Sequence, residues 1–332
     1  MLFANSFEVE GRAVLITGGS SGMGLEVARQ LAEKGANVAI VARNQDRLLK
    51  SLAYVQEGAK NRETQRFHQI SADLTLSSEA VRVVDEVVAW NNGFAPDIVW
   101  CCAGVAHPTL FIDTPVEVFS QQMNSNYFTS LYVAHAILRH WLKGSDDNQS
   151  AVSGPARHLI FTASISAFYT FTGYTPYSPA KAALRSLSDT LSQEMNLYYA
   201  AYPNKPRVRL HTIFPATILS EGLENENKIK PDVTKLLEEV DDPLTPQVIA
   251  SQSIKGLENG QELITTDFIT GLTKNAMLGT SIRGGFLAGF VDWILACFLI
   301  VVMVFLRSDM DKKVQAFGRK FGPSGMKRDS SA

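Results

Sequence analysis

The sequence predicts a doubly wound α/β domain on a seven-stranded parallel sheet, followed by a C-terminal hydrophobic membrane segment. Three observations carry that prediction. Between Arg12 and about Ile264, short β-branched runs alternate with longer amphipathic stretches, the rhythm of strands joined by crossover helices. The strand runs are continuously apolar rather than alternating, as expected for strands covered by helices on both faces. Residues 286–306 are apolar throughout except at Asp292.

Taken in order, the strand candidates are residues 13–16, 37–41, 66–71, 98–101, 158–162, 208–214 and 262–264. Helical periodicity fits between them at 22–34, 45–60, 77–90, 116–143, 177–202 and 245–258. No internal repeat and no low-complexity linker precedes residue 265, so residues 1–265 form one catalytic domain and residues 266–332 a membrane-associated region. Two segments break the rhythm. Residues 143–156 are polar and rich in Gly, Ser and Asp, a surface loop before the fifth strand. Residues 215–243 form a long charged insertion after the sixth strand, read as a lid or binding loop because ligands of open α/β sheets sit at strand C-termini.

The bulk numbers exclude several classes. With 45% hydrophobic and 19% charged residues among 332, the chain can build a large core and is not of disordered composition. A formal net charge of -2 gives no excess of positive charge for nucleic acid. Cys101, Cys102 and Cys297 supply neither a disulfide framework nor zinc spacing. The six histidines never fall at a metal-binding helical spacing, so no metal is expected. Residues 1–12 lack the charged start and apolar stretch of a secretory signal.

The first strand runs into Thr17-Gly18-Gly19-Ser20-Ser21-Gly22-Met23-Gly24 and then a helix. Such glycines allow a tight turn and close backbone approach to a pyrophosphate held on helix N-terminal amides, so Gly18, Gly22 and Gly24 are dinucleotide-binding candidates of the Rossmann kind. Cofactor choice is read at the end of the second strand. An NAD site needs an acid there for the ribose 2′-hydroxyl; here Ala42 takes that position and Arg43 follows, which favours the 2′-phosphate of NADPH. Arg47 lies one helical turn further, and Ser20 or Ser21 can reach the same phosphate.

The strongest chemical signal is Tyr177-Ser178-Pro179-Ala180-Lys181. Positions i and i+4 share a helix face, so the phenol and ammonium can address one ligand. A phenol with a free pKa of about 10 transfers protons poorly until something lowers that value, and the Lys181 charge would stabilise phenolate. Pro179 is tolerated only in a first turn, which puts Tyr177 at the helix entrance.

The order of Gly-rich turn, Arg43, Asp73, Asn126, Ser164, Tyr177 and Lys181 resembles the short-chain dehydrogenase/reductase family over roughly residues 11–265. That resemblance implies Ser164 as the serine that hydrogen-bonds the substrate carbonyl, with Ser166 a near competitor. It implies Asn126 as the helix asparagine holding a water in the proton relay, the alternative being a local kink. Lys181 would also hold the nicotinamide ribose, and Asp73 and Leu74 would lie against the adenine, unless they form only a strand-end turn. After the sixth strand, Pro215-Ala216 stands where the family has Pro-Gly, and Ser220 is the implied hydroxyl near the nicotinamide amide. The family's Asn-Asn-Ala-Gly after the fourth strand is Cys101-Cys102-Ala103-Gly104 here, which puts local stability in question. Family members often pair through their long helices (here 116–143 and 177–202), so a homodimer is the implied assembly.

Residues 286–306 would span about 31 Å as a helix, against a bilayer core of about 30 Å. Arg307, Lys312, Lys313, Arg319 and Lys320 follow in the basic tail, 307–332. By the positive-inside tendency that tail is cytosolic, as is an NADPH-using domain. A single span cannot satisfy both; a hairpin using residues 268–290 as its first arm, or in-plane association, would. An anchor beside a reductase site implies a lipidic substrate. The runs 18–24, 41–48 and 177–181 are similar to family members that reduce long-chain sphingoid ketones at the endoplasmic reticulum, and the C-terminal anchor resembles the fungal forms. Phe168, Tyr169, Phe171 and Tyr174 would line an acyl channel or simply pack. The alternatives are a membrane steroid or retinoid dehydrogenase and, in another class, a non-catalytic NADPH-binding scaffold or sensor.

Overall fold

A computed structural model describes residues 7–143, 154–202, 204–239, 241–277, 285–321 and 326–327. The strands are β1 (Ala13–Thr17), β2 (Asn37–Ala42), β3 (Phe67–Ser71), β4 (Ile98–Cys101), β5 (Arg157–Thr162), β6 (Val208–Phe214) and β7 (Leu263–Thr265). Crossing between them are α1 (Gly22–Glu33), α2 (Gln45–Glu57), α3 (Ser77–Trp90), α4 (Val116–Met123), α5 (Thr129–Lys143), α6 (Ser178–Ala201), α7 (Glu221–Ile229), α8 (Asp232–Leu237) and α9 (Pro246–Glu258). After β7 come α10 (Phe268–Met277) and α11 (Phe286–Phe321).

All seven strands pair in parallel in the order β3-β2-β1-β4-β5-β6-β7. The chain reverses its direction of sheet growth between β1 and β4, the crevice where ligands of doubly wound sheets bind. The strand period of two divides the apolar side chains between two cores. Leu15, Val41, Val99, Leu159 and Phe161 face one side, where Val84, Val133, Ile137 and Leu184 from α3, α5 and α6 cover them. Val14, Ile16, Val38, Ile40, Trp100 and Ile160 face the other, under Val27, Leu31, Ile249 and Leu257 from α1 and α9. Both faces are covered, which is why the strands read as unbroken apolar runs.

Three expectations are refined, and most of a fourth lies outside the described residues. The helix expected at 116–143 is interrupted by a π-helical turn at Asn124–Phe128. Residues 215–243 are not an irregular loop: they carry α7 and α8, and an isolated bridge pairs Ile218 with Leu244. Residues 144–153 of the polar segment lie outside the described residues. The proposed first arm of a hairpin, residues 268–290, holds α10, whose 10 residues extend about 15 Å, half of a bilayer core. Thr270 and Thr273 of α10 are buried, so this helix packs on the domain.

α11 runs for 36 residues, about 54 Å. Residues 286–318 form a helix long and apolar enough to cross a membrane, and few of its side chains are buried. Phe286, Phe298 and Phe305 are among the exposed ones. Asp292, the acidic interruption, lies within electrostatic reach of Lys274 on α10. Further along, Phe317 is buried and the helix touches α8, so its polar half returns to the catalytic domain.

Candidate active site

The turn between β1 and α1 is shaped by contacts that only glycine permits. Gly18 has φ +68°, and a Cβ there would lie 2.8 Å from the Ala103 amide nitrogen. A Cβ on Gly24 would run into the Gly18 carbonyl oxygen, which is backbone and cannot swing aside. Gly22 has φ +52°, yet its surroundings are open, the nearest atom to a Cβ being Ser220 Cβ at 4.0 Å. A closed turn that leaves an open cradle over a helix N-terminus fits the pyrophosphate of a dinucleotide. Ser21 is the N-cap residue of α1 but makes no side-chain cap bond, so its hydroxyl is not committed to the helix.

Around this cradle, Arg43 is exposed at the end of β2. Arg47 Nε donates to the Ser20 carbonyl at 3.2 Å, and its guanidinium also pairs with Glu221 of α7. Arg47 is therefore fixed against the turn rather than loose on the surface. Asp73 Oδ1 accepts from both the Thr75 amide at 3.1 Å and the Thr75 hydroxyl at 2.8 Å, an Asx turn at the strand end. Those bonds, with Arg43 nearby, hold its carboxyl below the usual range. Leu74 is buried in the core. Ser220 Oγ accepts from the Leu223 amide at 3.4 Å and caps α7.

The candidate catalytic groups meet at the C-terminal ends of β4 and β5. Tyr177 is the N-cap residue of α6, with Pro179 in the first turn. Its hydroxyl hydrogen-bonds Ser164, which directly follows β5 and Ala163. Ser164 Oγ also accepts from the Ser166 amide at 3.2 Å, so geometry separates the two serines. Lys181 Nζ stands 5.5 Å from the Tyr177 ring centroid and donates to the Thr162 carbonyl at 3.0 Å. Asn126, fully buried, sits in the π-helical turn; Oδ1 accepts from the Val105 amide at 3.0 Å and Nδ2 donates to the Val105 carbonyl at 2.8 Å. π-Turns recur at functional sites; this one aims Asn126 at the strand-four loop. Gly104 lies between Asn126 and Lys181: a Cβ there would be 2.7 Å from Asn126 Oδ1 and 3.1 Å from Lys181 Nζ.

The electrostatics differ from the sequence expectation. Burial pushes the Tyr177 phenol well above its usual pKa, the charge of Glu226 raises it further, and the Ser164 hydrogen bond pulls it down. Burial lowers the Lys181 ammonium to about 8. In this arrangement Lys181 serves the Thr162 carbonyl, and desolvation dominates the phenol. The lost asparagines of the strand-four motif do not leave a gap. Thr162 Oγ1 accepts from Trp100 Nε1 at 3.2 Å and donates to Cys102 Sγ at 3.6 Å, tying β4 to β5. Burial pushes the Cys102 thiol up to about 12, so it acts as packing.

Above Tyr177 lies a lid whose chemistry the sequence did not reveal. Tyr174 Oη donates to Glu238 Oε1 at 2.7 Å, and Lys230 Nζ donates to Glu238 Oε2 at 2.6 Å. Thr234 Oγ1 donates to the Thr172 carbonyl at 3.0 Å and packs against Gly173, whose φ is +99°. Only the cap residues Ser220 and Pro231 signal these helices in the sequence; the Lys230–Glu238 pair joins α7's end to α8's end and follows no helical spacing. The lid borders a cavity of about 390 Å³ lined by Thr170, Phe171, Tyr174, Leu237, Met310 and Val314. The expected aromatic channel thus divides. Phe171 and Tyr174 face the cavity, Phe168 is buried against Phe214 with centroids 4.2 Å apart, and Tyr169 Oη contacts Met310 Sδ at 2.8 Å. A larger open groove of about 700 Å³ between α1 and α9 contains none of these residues.

Comparison with known proteins agrees with this geometry. Residues 12–230 match the short chain dehydrogenase family. The 3-ketodihydrosphingosine reductase ksrA of Aspergillus fumigatus is 47% identical over 96% of this chain and 88% of its own length. The 3-ketodihydrosphingosine reductase gsl-3 of Neurospora crassa is 40% identical over 96% and 85%. Among solved structures, a short-chain type dehydrogenase/reductase from Mycobacterium marinum superimposes with a TM-score of 0.64 at 22% identity, covering 79% of this chain and 96% of that one, a likeness of fold. The chain belongs to the short chain dehydrogenase family.

Proposed function

We propose that this member of the short chain dehydrogenase family uses NADPH to reduce 3-ketodihydrosphingosine to dihydrosphingosine in sphingolipid synthesis, attached to the endoplasmic reticulum membrane with its catalytic domain in the cytosol. The observation that carries the reading is the meeting of Ser164, Tyr177 and Lys181 next to a cavity that Met310, Asp311 and Val314 of α11 help to wall. The relatives named above act on this ketone by their names, and they align along nearly the whole chain.

The family resemblance assigns the roles, and the geometry of the turn and of Tyr177 supports them. Gly18, Ser20, Ser21, Gly22 and Gly24 would cradle the pyrophosphate, Arg43 and Arg47 the 2′-phosphate, Asp73 and Leu74 the adenine, and Lys181 the ribose; Ser220 would stand by the nicotinamide amide. When bound, the nicotinamide supplies the hydride. Ser164 donates a hydrogen bond to the substrate carbonyl oxygen and fixes it beside Tyr177 Oη. Tyr177 delivers the proton to that oxygen as charge develops on it. A buried phenol in its neutral form is already the protonated acid this direction requires. Lys181 stabilises the resulting phenolate, and Asn126 holds the strand-four loop against Lys181 on the route by which a proton returns. The long acyl chain would leave the reacting end through the cavity at Phe171 and Tyr174, past Met310 and Val314 of α11, toward the membrane. Pairing of two copies through α5 and α6 is the assembly the family resemblance implies.

The test is NADPH oxidation by detergent-solubilised full chain with 3-ketodihydrosphingosine, beside NADH and a 3-ketosteroid. NADPH-selective turnover of the sphingoid ketone is expected. Turnover of the steroid alone would overturn the substrate, and equal use of NADH would overturn the Arg43 assignment.

A further inference from the structure

Arg47 is shared between the cofactor cradle and the lid. Its Nε donates to the Ser20 carbonyl of the Gly-rich turn at 3.2 Å, and Ser51 of α2 donates to the same carbonyl at 3.1 Å. Its guanidinium also reaches across to Glu221, the first residue of α7. The neighbouring Ser220 stands over the same turn, its Cβ 4.0 Å from where a Cβ on Gly22 would lie. The start of α7 therefore closes over the cradle, and the Arg47–Glu221 pair fastens it there. None of the nine residues of α7 is buried. Among the described residues, the other hydrogen bonds that tie it to the domain lie outside its ends: the Leu219 amide donates to the Leu244 carbonyl at 2.8 Å, and Lys230 pairs with Glu238. A helix with so little burial moves at small cost once its fastening is undone.

This inference rests on the assignment of Arg47 to the 2′-phosphate made above. Two anions then compete for one guanidinium. The pair with Glu221 joins side chains that are 44% and 60% exposed, and ion pairs this open to water are weak. A phosphate carries more charge than a carboxylate and accepts two parallel N–H bonds from the arginine fork, so it is the stronger partner. We propose that Glu221 is the residue through which the lid senses the cofactor: the 2′-phosphate of NADPH takes Arg47 from Glu221 and frees the first turn of α7. A cofactor without that phosphate leaves the pair intact and the lid fastened. The two cofactors differ only in the phosphate, so any difference in lid position between them must come from that group's contacts. Selectivity for NADPH then has two parts, the cations that hold the phosphate and the lid that it releases.

The experiment uses the full chain in detergent and needs no turnover. NADPH and NADH affinities are measured by fluorescence titration in wild type, Glu221→Gln, Arg47→Gln and the double variant; binding of either nucleotide reports a folded protein. Removing the competitor in Glu221→Gln should lower the NADPH Kd about 2–5-fold and leave that of NADH unchanged. Arg47→Gln should raise the NADPH Kd on the order of 10-fold or more. In that background Glu221→Gln should have no further effect, because the two residues act through one contact. Hydrogen exchange of the α7 amides is then compared in wild type saturated with NADPH or with NADH. Exchange should be about 2–5-fold faster with NADPH, and the difference should vanish in Glu221→Gln. An unchanged or raised NADPH Kd in Glu221→Gln, or exchange that is equal or slower with NADPH in wild type, overturns the inference; the Arg47→Gln effect then leaves the phosphate assignment standing. An Arg47→Gln variant that binds NADPH as tightly as wild type overturns both.

Discussion

Lys230→Met should weaken the lid by stranding a carboxylate beneath it. Lys230 is almost fully buried and its ammonium lies 2.6 Å from Glu238 Oε2. Removing it leaves the Glu238 carboxylate with the Tyr174 hydroxyl alone and within the field of Glu226. Breaking a buried pair from one side costs about 3–5 kcal/mol when the stranded charge has no escape. Here solvent offers a partial one: 17% of the Glu238 side chain remains exposed, so about 2–3 kcal/mol is expected. Melting temperature should drop by roughly 5–12 °C. Lys230→Met/Glu238→Gln should recover most of the loss, since glutamine still accepts from Tyr174. An unchanged melting temperature, or no rescue by the second change, would refute the reasoning.

The other predictions follow the same structure. Gly24→Ala places a Cβ on the Gly18 carbonyl; NADPH affinity should fall at least tenfold and stability by about 1–3 kcal/mol, read by fluorescence titration and melting. Asn126→Ala strands the Val105 amide and carbonyl and should cost about 1–3 kcal/mol, with turnover falling because Lys181 loses its neighbour across Gly104. His211 Nδ1 faces the Gln261 carbonyl at 2.8 Å, so its Nε2 accepts from His158 Nδ1 at 2.9 Å, and both buried rings are neutral. Burial lowers both pKa values, that of His211 to about 4, so stability is full above about 6.5 and declines as pH falls towards 4. At pH 5 the loss should be about 2 kcal/mol for each ring, about 4 kcal/mol in all, by urea unfolding, and His158→Leu/His211→Gln should flatten the profile.

Much of this molecule was legible in its sequence because the relevant physics is local. Seven apolar runs mark seven strands, and the division of Leu15 from Val14 and Ile16 between two cores follows from strand pleat alone. Tyr177, Lys181 and Ser164 were found from helix spacing and family order, and they converge as expected. What escaped was non-local or masked by composition. The lid reads as a charged, aperiodic insertion because α7 and α8 are short and bury few apolar residues; its organising contact joins Lys230 to Glu238 and Tyr174, partners chosen by folding. The sense of the Tyr177 perturbation was missed for a related reason. The spacing places Lys181 near the phenol, but it does not reveal that the site is desolvated or that the charge of Glu226 reaches it. Cys102 was read as the loss of a polar contact, whereas Thr162 on the neighbouring strand supplies the hydrogen bond that rebuilds the loop.

The most direct test of the central claim is Tyr177→Phe in the full chain, assayed for dihydrosphingosine formed from 3-ketodihydrosphingosine with NADPH, alongside NADPH binding. Loss of the proton donor should lower turnover by about 10²–10⁴-fold while NADPH affinity stays within about threefold of wild type. A variant that binds NADPH normally and keeps more than about a tenth of wild-type turnover would contradict the account, because general-acid loss of that kind cannot be so mild.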